Sequence, residues 1–267
     1  MSFVLTDRPR PGVARITLNR PERMNAMAFD VMIPFREALE AIGRDNDVRV
    51  VIITGAGHGF CSGADLEDPG MMPHIDGLTL TTIAQRAMRL LDDVIRAVRH
   101  LHQPVVAAIN GAAIGGGFCL AMAADIRVAA EPAYFRAAGI NNGLTSAELG
   151  LSYLLPRAIG TSRAFDIMLT GRDVAAAEAA ALGIVSRTVP ADALLDECFA
   201  IAEQIIGWSR VGIELSKRLL WSGLEAGSLA AHMDHEGTSQ LYVRLTTQNF
   251  EEAIRARKEQ RAPDFLD

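Results

Sequence analysis

The chain is predicted to fold as an α/β core followed by a helical C-terminal part, and three observations lead there. Over the first two-thirds of the 267 residues, β-branched apolar runs alternate with glycine-rich turns and stretches of helical spacing. From Ala193 onward nearly everything has helical period. Between these regions lies Asn110-Gly-Ala-Ala-Ile-Gly-Gly-Gly-Phe-Cys-Leu-Ala-Met-Ala-Ala-Asp125, with three consecutive glycines where an apolar strand runs into a helix. Such a junction lets the backbone approach a ligand and leaves amide N–H groups free to stabilise a developing negative charge.

Val13 to Leu18 alternates and is β-branched, which predicts a strand paired with Phe3 to Thr6. Asn19 to Asn25 reads as a loop. From Ala26 to Ile42, Met32, Phe35, Leu39 and Ile42 recur at three and four, predicting an amphipathic helix that ends at Gly43. Val48 to Thr54 reads as a strand buried on both faces and leads into a second glycine-rich turn, Gly55 to Leu66. Residues 67 to 80 carry two prolines and two glycines and read as a mobile loop. A helix is expected from Ile83 to Leu101, then strands from Val105 to Ile109 and from Ile126 to Ala129. After Gly150 the pattern is helical, broken by Gly160, Gly171 and Gly183, and it closes with a charged amphipathic helix from Asn249 to Pro263. A core over 1–200 and a helical region over 201–267 are expected.

The formal net charge of −6 argues against a nucleic-acid partner, because phosphate binding needs a basic face. Three cysteines, at 61, 119 and 198, form no metal-like pair and favour a reducing compartment. The N-terminal stretch has neither the basic start nor the apolar segment of a signal peptide, and no uncharged run is long enough to span a membrane. A soluble cytoplasmic protein is expected.

Several motifs reduce to structure. Gly55-x-Gly-x-Gly falls short of a dinucleotide fingerprint, with Phe60 where the third glycine belongs, and reads as a surface turn. His100 with His102, and His232 with His235, have no acidic or thiol partner at zinc-site spacing and read as solvated histidines; no metal site is expected. Cys119 reads as a buried structural thiol. Asp65 and Asp125 read as turn and packing residues that stabilise the glycine turns.

The informative pair is Ser62-Gly-Ala-Asp-Leu66 with Gly115-Gly-Gly117, two turns in separate strand–turn–helix units. With Asn19-Arg-Pro-Glu-Arg-Met-Asn-Ala26, Gly59 to Leu66, Gln103 to Gly111, Gly115 to Ala129, Leu169-Thr-Gly171, Ala179 to Val185 and the closing helix before Pro263-Asp-Phe265, the chain resembles the enoyl-CoA hydratase/isomerase, or crotonase, family almost end to end.

That resemblance implies a crotonase-like spiral of ββα units with a C-terminal helical region mediating trimer contacts, often in hexamers. It implies an acyl-CoA thioester substrate, coenzyme A being part of the substrate and no separate cofactor being needed. By matching position, the backbone N–H groups of Ala64 and Gly116 form the oxyanion hole. Arg23, Met24, Ser62, Leu66 and Gly115 fall among the acyl-CoA contacts, with Lys258 a further candidate for the nucleotide phosphate. A solvent-facing lysine is the other reading of Lys258.

The two glutamates of the family's hydratases fall on Cys119 and Gly139, which cannot move a proton as a carboxylate does; neutral Asn141 and Asn142 are poor bases. Glu148, ahead of Tyr153 and Pro156, resembles the single glutamate of the family's Δ3,Δ2-enoyl-CoA isomerases. Thr145-Ser-Ala-Glu148 is also a capping-box signature, in which the glutamate serves only a helix end. Isomerisation through Glu148 is the leading expectation. Enoyl-CoA hydration in fatty-acid oxidation and non-catalytic acyl-CoA binding are the alternatives.

Overall fold

Successive strands of this chain go to two different sheets. The computed structural model describes residues 2–265. A six-stranded sheet is built from β1 (Val4–Arg10), β2 (Val13–Leu18), β3 (Val50–Gly55), β5 (Val105–Ile109), β7 (Ile126–Ala130) and β10 (Arg187–Val189), in that spatial order. The edge strand β1 runs antiparallel to β2, and every other neighbouring pair is parallel. A second sheet takes β4 (Gly59–Cys61), β6 (Ala112–Ile114), β8 (Tyr134–Arg136) and β9 (Asp173–Ala175). Thus β3 and β4, β5 and β6, and β7 and β8 each contribute one strand to each sheet. Helices α2 (Leu80–His100) and α3 (Gly116–Ala123) close the first two turns of this ββα spiral.

Both faces of the large sheet are covered, as the uninterrupted apolar runs of β3 and β5 require. Val51, Ile53, Val105 and Ala107 join the main core with α1 (Phe29–Gly43), α2 and α3. Val50, Ile52, Val106 and Ala108 face the other way, onto Leu194, Cys198, Phe199 and Ala202 of α7 (Leu194–Ile206). The boundary expected near 200 therefore falls inside a helix that packs on the sheet. In chain order between β8 and α7 come α4 (Leu151–Ile159), α5 (Thr161–Thr170) and α6 (Ala176–Leu182), separated near the glycines the sequence singled out.

The last helices are α8 (Arg210–Gly223), α9 (Leu229–Thr246) and α10 (Asn249–Lys258). Helix α8 is fastened to the core by polar contacts. Lys217 Nζ lies 2.8 Å from Asp125 Oδ2, and Trp221 Nε1 donates to Asp125 Oδ1 at 2.6 Å. His102 joins Glu214 through Nδ1 at 2.8 Å and reaches Gly43 O through Nε2, so this partly solvated ring is also an anchor. Helix α9 packs on α8, and α10 on α9. Among the described residues, no helix is long and apolar enough to cross a membrane.

Two helix starts differ from expectation. Helix α2 begins at Leu80, capped by Thr79 Oγ1, which accepts from Thr82 N at 3.3 Å. Helix α1 begins at Phe29 rather than Ala26. Met24 and Asn25 hold left-handed backbone, and Met27 is extended in a bridge with Ala64. Those residues are taken from the helix to hold the first glycine turn.

Candidate active site

The first turn leaves β4 at Cys61. Ser62 N donates to Met24 O at 3.0 Å, and Ser62 Oγ donates to Arg23 O at 3.2 Å. Met27 N donates to Gly63 O at 2.7 Å, and Asp65 N donates to Met27 O at 3.1 Å. Ala64 thus lies between two tethered neighbours on an exposed turn, and its own N–H has no acceptor among the described residues.

Asp65 locks this turn from behind. Its buried carboxylate accepts from the amides of Glu67 and Asp68 at 3.1 and 2.9 Å. It pairs with Arg23 at 2.6 Å and with the buried Arg20 at 3.1 Å. The Arg23 guanidinium, followed by those amides, holds the carboxyl well below the usual carboxylate range despite its burial. Arg23 also pairs with Glu67 at 2.5 Å, so its charge is already engaged.

The second turn lies between β6 and α3. Gly115 N donates to Arg136 O at 2.8 Å, and Gly115 O accepts from Cys119 N at 3.0 Å. Gly116 is the first residue of α3, so its N–H has no acceptor within the helix. All eight residues of α3 are buried, and its positive end is held against the first turn. Gly63, at φ +83°, abuts this helix start: a β-carbon there would fall 2.7 Å from Ile114 O and 3.1 Å from Gly116 N. The two turns touch because Gly63 has no side chain.

Glu148 lies beside them, its Oε1 3.4 Å from where a β-carbon on Gly115 would stand. It is half-buried, and burial pushes its carboxyl above the ordinary value. The capping box does not form. Helix α4 starts at Leu151 behind Gly150, and Thr145 Oγ1 donates to Ala147 O at 3.2 Å. The Glu148 carboxylate has no hydrogen-bond partner among the described residues.

The neighbouring positions are closed. Cys119 is fully buried, its thiol pushed well above the ordinary value by burial and then by the Glu148 charge. At Gly139 a β-carbon would collide with the carbonyl oxygen of Thr145, which leaves no room for a side chain. The Asn141 amide packs against Gly171.

Of the residues the sequence pointed to, Arg23, Met24, Ser62 and Ala64 gather at the first turn and Gly115 and Gly116 form the second, with Glu148 brought beside it from the loop before α4. Leu66 is 71% exposed on the strap beyond Ala64. Lys258 is exposed on α10, and no contact with the glycine turns is described. Met27, Arg20 and Leu149 were missed because each acts through backbone geometry or a distant partner. A cavity of about 840 Å³ between α2, α8 and α9, lined by His102, Glu214, Lys217 and Trp221, includes none of the turn residues.

The two-sheet spiral with abutting glycine turns is that of the crotonase class. The chain belongs to the enoyl-CoA hydratase/isomerase family, whose profile, described as Enoyl-CoA hydratase/isomerase, matches residues 8–267. It is 67% identical over 267 residues to the probable enoyl-CoA hydratase EchA12 of Mycobacterium tuberculosis, covering 100% of this chain and 94% of that one. A crystal structure of a probable enoyl-CoA hydratase/isomerase from Mycobacterium abscessus is 68% identical with a TM-score of 0.96, covering 100% of this chain and 99% of that one. A structure titled a monofunctional enoyl CoA isomerase from M. smegmatis is 62% identical, with a TM-score of 0.75 over 87% of this chain and 99% of that one.

Proposed function

We propose that the protein isomerises enoyl-CoA thioesters, with Glu148 as the single acid/base and the amides of Ala64 and Gly116 as oxyanion donors. Glu148 removes a proton from C2 of a 3-enoyl thioester. The electron pair moves onto the thioester oxygen as a dienolate, which the two amides stabilise. The same carboxyl then returns the proton to C4, leaving the double bond between C2 and C3. One carboxylate suffices because the proton leaves and re-enters on one face, and a carboxyl raised by burial is suited to both halves of the transfer.

The observation that carries this reading is the isolation of Glu148 beside the Gly115 turn, with the Thr145 carbonyl where a side chain at Gly139 would go. Hydration needs a second group to manage water, and neither Cys119 nor Gly139 supplies one. Each lost oxyanion donor costs roughly 10²–10³ in rate. Met24, Ser62, Leu66 and Gly115 line the acyl-CoA approach. Arg23 contributes to it by exchanging Glu67 for a phosphate, and Lys258 serves the nucleotide end. No cofactor beyond the substrate's own coenzyme A takes part, and a reducing cytoplasm suits the three free cysteines.

The test is turnover of 3-enoyl-CoA and hydration of 2-enoyl-CoA by wild type and Glu148→Gln. Isomerisation by wild type, lost in the variant, is expected; isomerisation that survives in Glu148→Gln would refute the assignment. We also propose a homotrimer or a dimer of trimers. In α9 only Ser239 is buried, while Leu229, Leu241 and Leu245 are 76%, 60% and 79% exposed. Sedimentation as a monomer at micromolar concentration would exclude it.

A further inference from the structure

Glu148 is held by its own backbone. The carbonyl oxygen of Glu148 accepts from Leu151 N at 2.8 Å and from the Cys119 thiol at 3.5 Å. The next residue, Leu149, has φ +45°, a left-handed conformation that a branched, bulky side chain rarely adopts, and Gly150 follows at +82°. Leu149 is 8% exposed, and its Cδ1 lies 3.5 Å from the β-carbon position of Gly116. The peptide after Glu148 is therefore pinned at both ends. The thiol of α3 holds the carbonyl, and the leucine side chain is wedged against the start of that same helix.

We propose that Cys119 is a positioning residue for the reaction: by bonding the Glu148 carbonyl, and with Leu149 wedged on Gly116, it fixes the carboxylate over the oxyanion turns. The inference rests on the isomerase reading of Glu148. Cys119 stands one helical turn into α3, the helix whose first amide is the Gly116 donor, so base and donor share one rigid body. A buried thiol that is not ionised keeps its proton, and towards a carbonyl oxygen it is the donor. Serine offers the same donor from the same position, whereas alanine offers none.

The residue that holds the base is thus distinct from the base, and the two are separable by kinetics. Losing the thiol bond removes one of the two bonds to the Glu148 carbonyl and loosens the peptide, without removing the amides that grip the thioester. The chemical step slows while binding stays as it was.

The experiment is steady-state isomerisation of a 3-enoyl-CoA by wild type, Cys119→Ala, Cys119→Ser and Glu148→Gln, with thermal melting of each. We expect Cys119→Ala to lower kcat about tenfold with KM within about twofold, and Cys119→Ser to recover kcat to within about threefold. Equal kcat in wild type and Cys119→Ala would overturn the proposal. So would equal losses in Cys119→Ala and Cys119→Ser, which would make the site one of packing alone. If Cys119→Ala does not fold, Cys119→Ser decides: a folded serine variant with a kcat loss above tenfold also overturns it. Activity retained by Glu148→Gln would instead refute the reading of Glu148, whereas its loss beside an unaffected Cys119→Ala would refute only the role of Cys119.

Discussion

Gly63→Ala tests whether the contact between the two turns makes the oxyanion site. The added methyl lands 2.7 Å from Ile114 O and 3.1 Å from Gly116 N. Carbon–oxygen contacts settle at roughly 3.3 Å, so the turns must part by about 0.6 Å. Both partners are backbone, with no flexible end to yield. A misplacement of about 1 Å costs on the order of 10²-fold in rate, so about 0.6 Å should lower kcat roughly 15-fold. Left-handed backbone at φ +83° adds about 1–2 kcal/mol for a β-carbon, and overpacking roughly 1–3 kcal/mol more. Gly160→Ala is the control for the contact: Gly160 also has φ +83°, with ψ 158° in a region essentially confined to glycine, but nothing lies within 4 Å of its β-carbon position. It should lose only the conformational part of the stability and keep its kcat. Isomerisation assays with urea denaturation of both variants separate the effects. A Gly63→Ala enzyme as active as Gly160→Ala would refute the idea that the abutting turns set the donor geometry.

Two further outcomes bear on charge. Because burial raises the Glu148 carboxyl in the fold, its ionised form is disfavoured there, and folding stability declines as pH climbs above the ordinary glutamate range. Glu148→Gln should therefore melt higher than wild type at pH 7 and no higher once the pH is below that range; a lower melting temperature at pH 7 would contradict the burial argument. Lys217→Met should cost about 3 kcal/mol by denaturant titration, because it strips the Asp125 carboxylate of a partner in a buried pair with 6% and 16% side-chain exposure. An unchanged midpoint would show that α8 does not depend on that pair.

The inner strands β3 and β5 of the large sheet were legible because their runs are buried on both faces, and β2 because it alternates, whereas the edge strand β10 fell in a stretch read as helical; the helix breaks at Gly160, Gly171 and Gly183 were legible as well. The short strands β4, β6, β8 and β9 were not read as strands: three residues give no period, and their sheet is assembled from segments far apart in the chain. The start of α1 was misplaced because Ala26 and Met27 carry helical pattern. What overrides it is the pair of backbone bonds that Met27 makes to Gly63 and Asp65, which no local signal announces. Likewise Thr145 and Glu148 have capping-box spacing, yet left-handed Leu149 and Gly150 delay the helix to Leu151 and leave the carboxylate unused by it.

Cradle and base are built from different parts of the chain, and this separates what each can change. The cradle is over-determined: Met27, Asp65, Arg20 and the buried α3 all hold the two glycine turns, so its geometry does not rest on any one of them. The proposed base comes from the loop between Gly139 and Gly150, whose path is set by the Thr145 carbonyl over Gly139 and by the left-handed step at Leu149. With the Thr145 carbonyl in that position, a side chain at Gly139 has no room, and Glu148 is the carboxylate that this path delivers to the cradle. A loop of different course could deliver a carboxylate from position 139 onto the same two turns. On this account, the course of one short segment decides whether a proton is shuttled or water is added, while the thioester is polarised in the same way in both cases. Cys119 and Leu149 join that segment to α3, so under the proposed mechanism they are where the reaction type is coupled to the fold.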